Sequence, residues 1–202
     1  MRGIAIFCGS HLGRNPHFSE AAAEVGRLIA HRGDKFIYGG SNWGYMGVSS
    51  GAALRENGHV IGVIPSIFSQ EVIYSQPVSE LVIVADMSER KKRIAELADA
   101  YIALPGGVGT LDEVTEMLTN NQLGFGCKPV GLLNIDGFYD PFMQQLKLML
   151  DEGLLRQSNY DTVLCASSPS GLLDAIDHFT PPDDSTWLEK VRGKREDRQE
   201  NI

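Results

Sequence analysis

Two kinds of segment alternate along this chain, and that alternation constrains the fold more than any other feature. The β-rich runs 3–8, 36–38, 59–64, 81–84, 101–104, 130–133 and 162–165 are apolar on both faces, as strands covered on both sides must be. Between them, 17–31, 45–57, 88–98, 110–123, 139–152 and 170–178 carry apolar residues at helical spacing, with glycine or proline at most junctions. The pattern predicts an α/β fold: a Rossmann-like, doubly wound, mostly parallel sheet with helices on both faces. In such sheets ligands sit beyond the C-terminal strand ends, where the strand order reverses.

A chain of 202 residues with 43% hydrophobic residues suits one well-covered domain. We place that domain at 1–179. From 180 to 202 the sequence turns polar and charged, with little apolar material beyond Trp187, Leu188 and Val191, and a flexible tail is expected. The net charge of −8 argues against nucleic-acid binding, which needs an electropositive surface, and favours a small metabolite. The chain contains no run of about 18 apolar residues, and its first residues are too short an apolar stretch for a secretory signal. Those features predict a cytoplasmic protein with no membrane partner. Cys8, Cys127 and Cys165 lack paired spacing and are expected as buried thiols, and the scattered His11, His17, His31, His59 and His178 show no metal-ligand spacing. Neither a metal nor a cofactor is expected.

Three glycine-rich turns follow strands. The most informative is Leu104-Pro-Gly-Gly-Val-Gly-Thr-Leu-Asp-Glu113, which ends one strand and opens a helix. Glycines there let the backbone take positive φ and approach an anion closely, and the helix dipole favours negative charge at that end. Gly106, Gly107, Val108, Gly109 and Thr110 are therefore candidate phosphate contacts. The loop is neither a Walker loop nor a dinucleotide fingerprint. A tight strand-to-helix turn capped by Thr110 or Asp112 is the plainer alternative. The second cluster, beginning at Tyr38-Gly39-Gly40, and the turn after Phe7-Cys8-Gly9-Ser10 should reach the same sheet edge. Close helix–strand packing competes with ligand binding at Gly39 and Gly40.

Two charged groups stand out beside these loops. In the helix after Asp86, the residues Met87, Arg90, Ile94 and Leu97 share one stripe, so Arg90 turns toward the apolar side and needs an anion there. Lys92 and Arg93 fall on other faces. Glu113 and Glu116 lie three apart beside the expected packing stripe of Leu111, Val114 and Leu118. Two carboxylates near an arginine suit acid/base and charge-stabilising work in glycosidic cleavage, and a solvated acidic pair is the alternative.

Stretch 86–113, DMSERKKRIAELADAYIALPGGVGTLDE, resembles the Lonely Guy (LOG) family of cytokinin-activating phosphoribohydrolases, whose signature joins an Arg-Lys pair to PGGxGTxxE. The likeness runs from FCGS through YGG to QLG and KPVGLLNIDGFYDP, about residues 3–179. It implies hydrolysis of the N-glycosidic bond of a cytokinin riboside 5'-monophosphate or AMP, yielding free base and ribose 5-phosphate, on a Rossmann-like homodimer. By that resemblance Arg90 and Glu113 are the catalytic pair. Lys91 and the glycine loop would contact the nucleotide, with Met87, Glu71, Glu116 and Thr119 as further substrate contacts. Asp112 stands where the family commonly has Glu, and Asn120 where an aromatic is common, which bears on base preference. A general AMP nucleosidase and a non-catalytic nucleotide sensor of the same fold remain as alternatives. Members are often labelled lysine decarboxylases, a label these residues do not support, since neither signature looks like a pyridoxal site.

Overall fold

In a computed structural model describing residues 1–68 and 78–182, seven parallel strands form one sheet. They are β1 (Gly3–Phe7), β2 (Lys35–Tyr38), β3 (His59–Pro65), β4 (Glu80–Val84), β5 (Ala100–Ala103), β6 (Val130–Leu133) and β7 (Val163–Ala166). The helices are α1 (Pro16–His31), α2 (Gly44–Arg55), α3 (Met87–Leu97), α4 (Val108–Leu123), α5 (Asp140–Asp151), α6 (Gln157–Tyr160) and α7 (Pro169–Asp177). The short α6 escaped the sequence reading, since four residues carry no periodicity. Glu71 and the tail beyond residue 182 lie outside the described residues.

Alternate residues of each strand feed two apolar layers. Ile4, Ile6, Phe36 and Ile102 face α1, α2 and α7, while Ala5, Phe7, Ile37 and Val63 face α3, α4 and α5. This is why the strands read as apolar on both faces. The spatial order β4-β3-β2-β1-β5-β6-β7 means that the chain winds outward from β1 to β4, then returns to build β5, β6 and β7 on β1's other side. The reversal falls between β1 and β5, and it opens a crevice at their C-terminal ends.

Two expectations are corrected. The buried stripe of α4 is Thr110, Val114, Met117 and Asn121, and Leu111 is 36% exposed. Two of those inward residues are polar and so invisible to hydrophobic periodicity. Asn121 is satisfied by bonding both backbone groups of Lys128, donating to its carbonyl at 2.7 Å and accepting from its N–H at 3.2 Å. Of the thiols only Cys8 is buried; Cys127 lies in a loop and Cys165 on the edge strand β7, where one face meets solvent. Met117 and Leu146 are core residues at 2% and 5% exposure. Among the described residues no helix is long and apolar enough to cross a membrane.

Candidate active site

α3 begins at a cap that sets its phase. The Asp86 side chain accepts from the Glu89 N–H at 2.9 Å, and the Glu89 carboxylate accepts from the Ala85 N–H at 2.6 Å. From that start Arg90 points under the sheet edge and is only 9% exposed. Its Nε donates to the Val63 carbonyl at 3.2 Å, and its Nη1 donates to Glu113 Oε1 at 3.1 Å. The guanidinium crosses the space a Cβ on Gly39 would fill, so that glycine is needed for Arg90 to enter. Gly40 takes φ +79, with a left-handed turn that glycine adopts freely.

Glu113 comes from the other side of the crevice, in the second turn of α4. That helix starts at Val108 behind the N-cap Gly107, and no side-chain cap bond is made there among the described residues. A Cβ on Gly107 or Gly109 would meet nothing within 4 Å, so the first N–H groups of α4 stand beside open space. An uncovered helix N-terminus of this kind attracts an anion. The conformational reason differs from the one expected: Gly107 has φ −95, and neither it nor Gly106 or Gly109 is left-handed. Their use is close approach. A Cβ on Gly106 would collide with the Thr110 side chain, which packs back against it and is 3% exposed.

These elements enclose a cavity of about 320 Å³, within the roughly 300–1,000 Å³ typical of small-molecule sites. Of the residues singled out from sequence, Met87, Arg90, Lys91, Gly107, Val108, Gly109, Thr110 and Glu113 line it. Gly39, Gly40, Gly106, Glu116 and Thr119 do not. Glu116 instead pairs with Lys91, which is also held by Asp112 at 3.1 Å. Thr119 donates to the Thr115 carbonyl at 2.8 Å and lines a separate groove between α4 and α5. Gly106 faces a neighbouring aromatic cleft with Phe18, Tyr45 and Phe138. Ile6, Cys8, Gly9, Ser10, Met46 and Asp112 also line the main cavity. The signal for Cys8 to Ser10 was present in the turn after the first strand; Met46 stands in the second glycine cluster, but a methionine in a helix reads as core.

The electrostatics of the pair are unequal. Burial pushes the Glu113 carboxyl up to about 7, against the Arg90 charge that holds it down. Burial also pushes the Cys8 thiol far above its usual range, with the Glu113 charge adding to the effect, so Cys8 is a neutral wall residue and not a thiolate nucleophile. For Glu113 the folded value exceeds the unfolded one of about 4.5. Its contribution to stability is therefore full below about pH 4.5 and lost as pH rises through about 7. Thermal melts of the ligand-free protein and of Glu113→Gln should diverge over that window, the variant gaining on the parent as pH rises. Parallel curves would show that Glu113 is not desolvated.

A parallel doubly wound sheet whose reversal point carries an open helix N-terminus and a buried arginine–carboxylate pair defines a Rossmann-type α/β protein with a cleft at the strand ends. A family model described as possible lysine decarboxylase matches residues 46–176. The chain is 41% identical over 180 residues to the cytokinin riboside 5'-monophosphate phosphoribohydrolase LOG of Oryza sativa subsp. japonica, covering 89% of this chain and 74% of that protein. It is 39% identical over 178 residues to LOG7, the Arabidopsis thaliana protein of the same description, covering 88% and 82%. Among solved structures, the molybdenum cofactor binding protein of the phototrophic bacterium Rippkaea orientalis matches with a TM-score of 0.67 at 30% identity, over 87% of this chain and 95% of that one. The chain belongs to the LOG-type, lysine-decarboxylase-labelled family.

Proposed function

We propose that this protein hydrolyses the N-glycosidic bond of cytokinin riboside 5'-monophosphate, and of AMP, releasing the free base and ribose 5-phosphate. The observation that carries the reading is the Arg90–Glu113 pair, 3.1 Å apart and set in the same cavity as the open N-terminus of α4. Phosphate on the N–H groups of Gly107 to Thr110, with Lys91 alongside, would place the ribose over Glu113. Water then attacks C1' as the C1'–N9 bond breaks and its electron pair leaves with the purine. Positive charge develops on the ribose, and the Glu113 carboxylate stabilises it while taking a proton from the water. Arg90 favours the negative charge growing on the departing base, which finally takes up the proton. Since Glu113 must be ionised for this role, kcat/KM should rise with pH through about 7.

Phosphate binding energy should be realised in the transition state, so AMP and its N6-substituted forms should be cleaved and adenosine left nearly untouched. Chromatographic assay of free base from each pair tests this, and equal kcat/KM for adenosine and AMP would refute it. A non-catalytic carrier is the competing reading, favoured by the likeness to the molybdenum cofactor binding protein. Such a carrier would bind AMP and return it intact.

We also assign a homodimer, with contact through the groove of about 210 Å³ where Leu118 and Thr119 of α4 meet Phe142 and Met149 of α5. Helix α4 would then join the interface to Glu113 a turn and a half away. Sedimentation should give a species near twice the 22.1 kDa chain mass. A single species at the chain mass at micromolar concentration would exclude it.

A further inference from the structure

The loop from Gly9 to Gly13 leaves β1 and carries Gly9 and Ser10 into the wall of the main cavity. With glycine at both ends it has more backbone freedom than a binding wall should have. One residue of α2 grips both ends. The Tyr45 N–H donates to the Gly9 carbonyl at 3.0 Å, and the Tyr45 hydroxyl accepts from the Gly13 N–H at 2.7 Å. The ring between these bonds lies along the loop, its Cδ2 3.4 Å from where a Cβ on Gly9 would stand. Tyr45 is 2% exposed and is backed edge-on by the Phe18 ring at 6.4 Å. The loop passes this order on, because the Gly9 N–H donates to the Pro105 carbonyl at 3.3 Å, one residue before the glycines that lead into α4. Tyr45 does not line the main cavity itself.

We propose that Tyr45 is a positioning residue for nucleotide binding. Its hydroxyl holds the 9–13 loop so that Ser10 and the Gly9–Pro105 link are already in place when the nucleoside monophosphate arrives. The inference rests on the proposed activity only in naming that ligand. If the hydroxyl is removed, the Gly13 N–H loses its partner and the loop must be ordered at the moment of binding. The loss then falls on affinity and not on the chemical step, since the Tyr45 hydroxyl holds the Gly13 N–H and Tyr45 lies outside the cavity that Arg90 and Glu113 line.

The test is Tyr45→Phe, which keeps the ring and its packing. KM for AMP should rise about three- to tenfold, and the dissociation constant of ribose 5-phosphate, read by calorimetry, should rise with it, while kcat stays within about twofold. Unchanged KM and ribose 5-phosphate affinity, or a fall in kcat at constant KM, would overturn the proposal. A second variant separates positioning from general loosening. Gly13→Ala would bring a Cβ to 2.9 Å from the Tyr45 oxygen. It should weaken ribose 5-phosphate binding in the parent and add little in the Tyr45→Phe background; additive losses would show that the two groups act independently. Calorimetry needs no turnover, so a protein that failed to cleave AMP would refute the proposed activity and still report on Tyr45.

Discussion

Glu113→Gln should lose about 10²–10⁴-fold in kcat while still binding AMP and ribose 5-phosphate, because amide and carboxylate share shape and only the charge and basicity disappear. The fold should survive. A neutral amide is easier to bury than a carboxylate whose pKa burial has already pushed up to about 7, so the variant should melt no lower than the parent at neutral pH. The rise of kcat/KM with pH through that value should vanish with the carboxylate. Single-turnover assays with N6-substituted AMP, beside calorimetry with ribose 5-phosphate, separate the two effects. A kcat near that of the parent would move the chemistry elsewhere, and Glu116 would be the next group to test, although it pairs with Lys91 and stands outside the cavity.

Arg90→Ala should produce the second largest loss, roughly 10²-fold or more, because in the proposed reaction it removes a preorganised cation from the place where negative charge would grow on the leaving base. It also leaves Glu113 buried without its partner at 3.1 Å. The carboxyl should then hold its proton to higher pH, and the kinetic limb should move above about 7. The stability loss should be larger at pH 8 than at pH 6, since at the lower pH protonation relieves the unpaired charge. Lys92→Ala, on an exposed face of the same helix, should change none of these quantities. Equal losses from the two substitutions would mean that α3 is phased differently from the bonds to Val63 and Glu113.

How far these sites could be read from sequence depended on how local their causes are. The strand–helix alternation is a property of neighbouring residues, and each predicted strand and long helix lies within about two residues of its observed bounds. The inward turn of Arg90 was legible for the same reason: the Asp86 cap and three- and four-residue spacing set its direction within one helix. Polar inward residues escaped the same reasoning. Thr110 and Asn121 are buried on α4 because Gly106 and the Lys128 backbone meet them there, and Leu111 turns outward as a result.

Chain composition and periodicity thus determined the α/β class, the glycine turns at the strand ends and the need of Arg90 for an anion. Only the tertiary structure decided which anion that is. Arg90 and Glu113 lie on different helices, 23 residues apart, and they meet because β5 returns to pair with β1 and opens the crevice between them. The fold also spreads these candidates over different surfaces: Gly107 lines both the main cavity and the aromatic cleft, Gly106 the cleft, and Thr119 the groove toward α5. The role of Gly39 as clearance for a guanidinium, and of Tyr45 as a clamp on a loop 32 residues before it, depend on contacts across the sheet edge. Spacing along a chain specifies which face of its own element a side chain takes; what stands opposite that face is set by strand order.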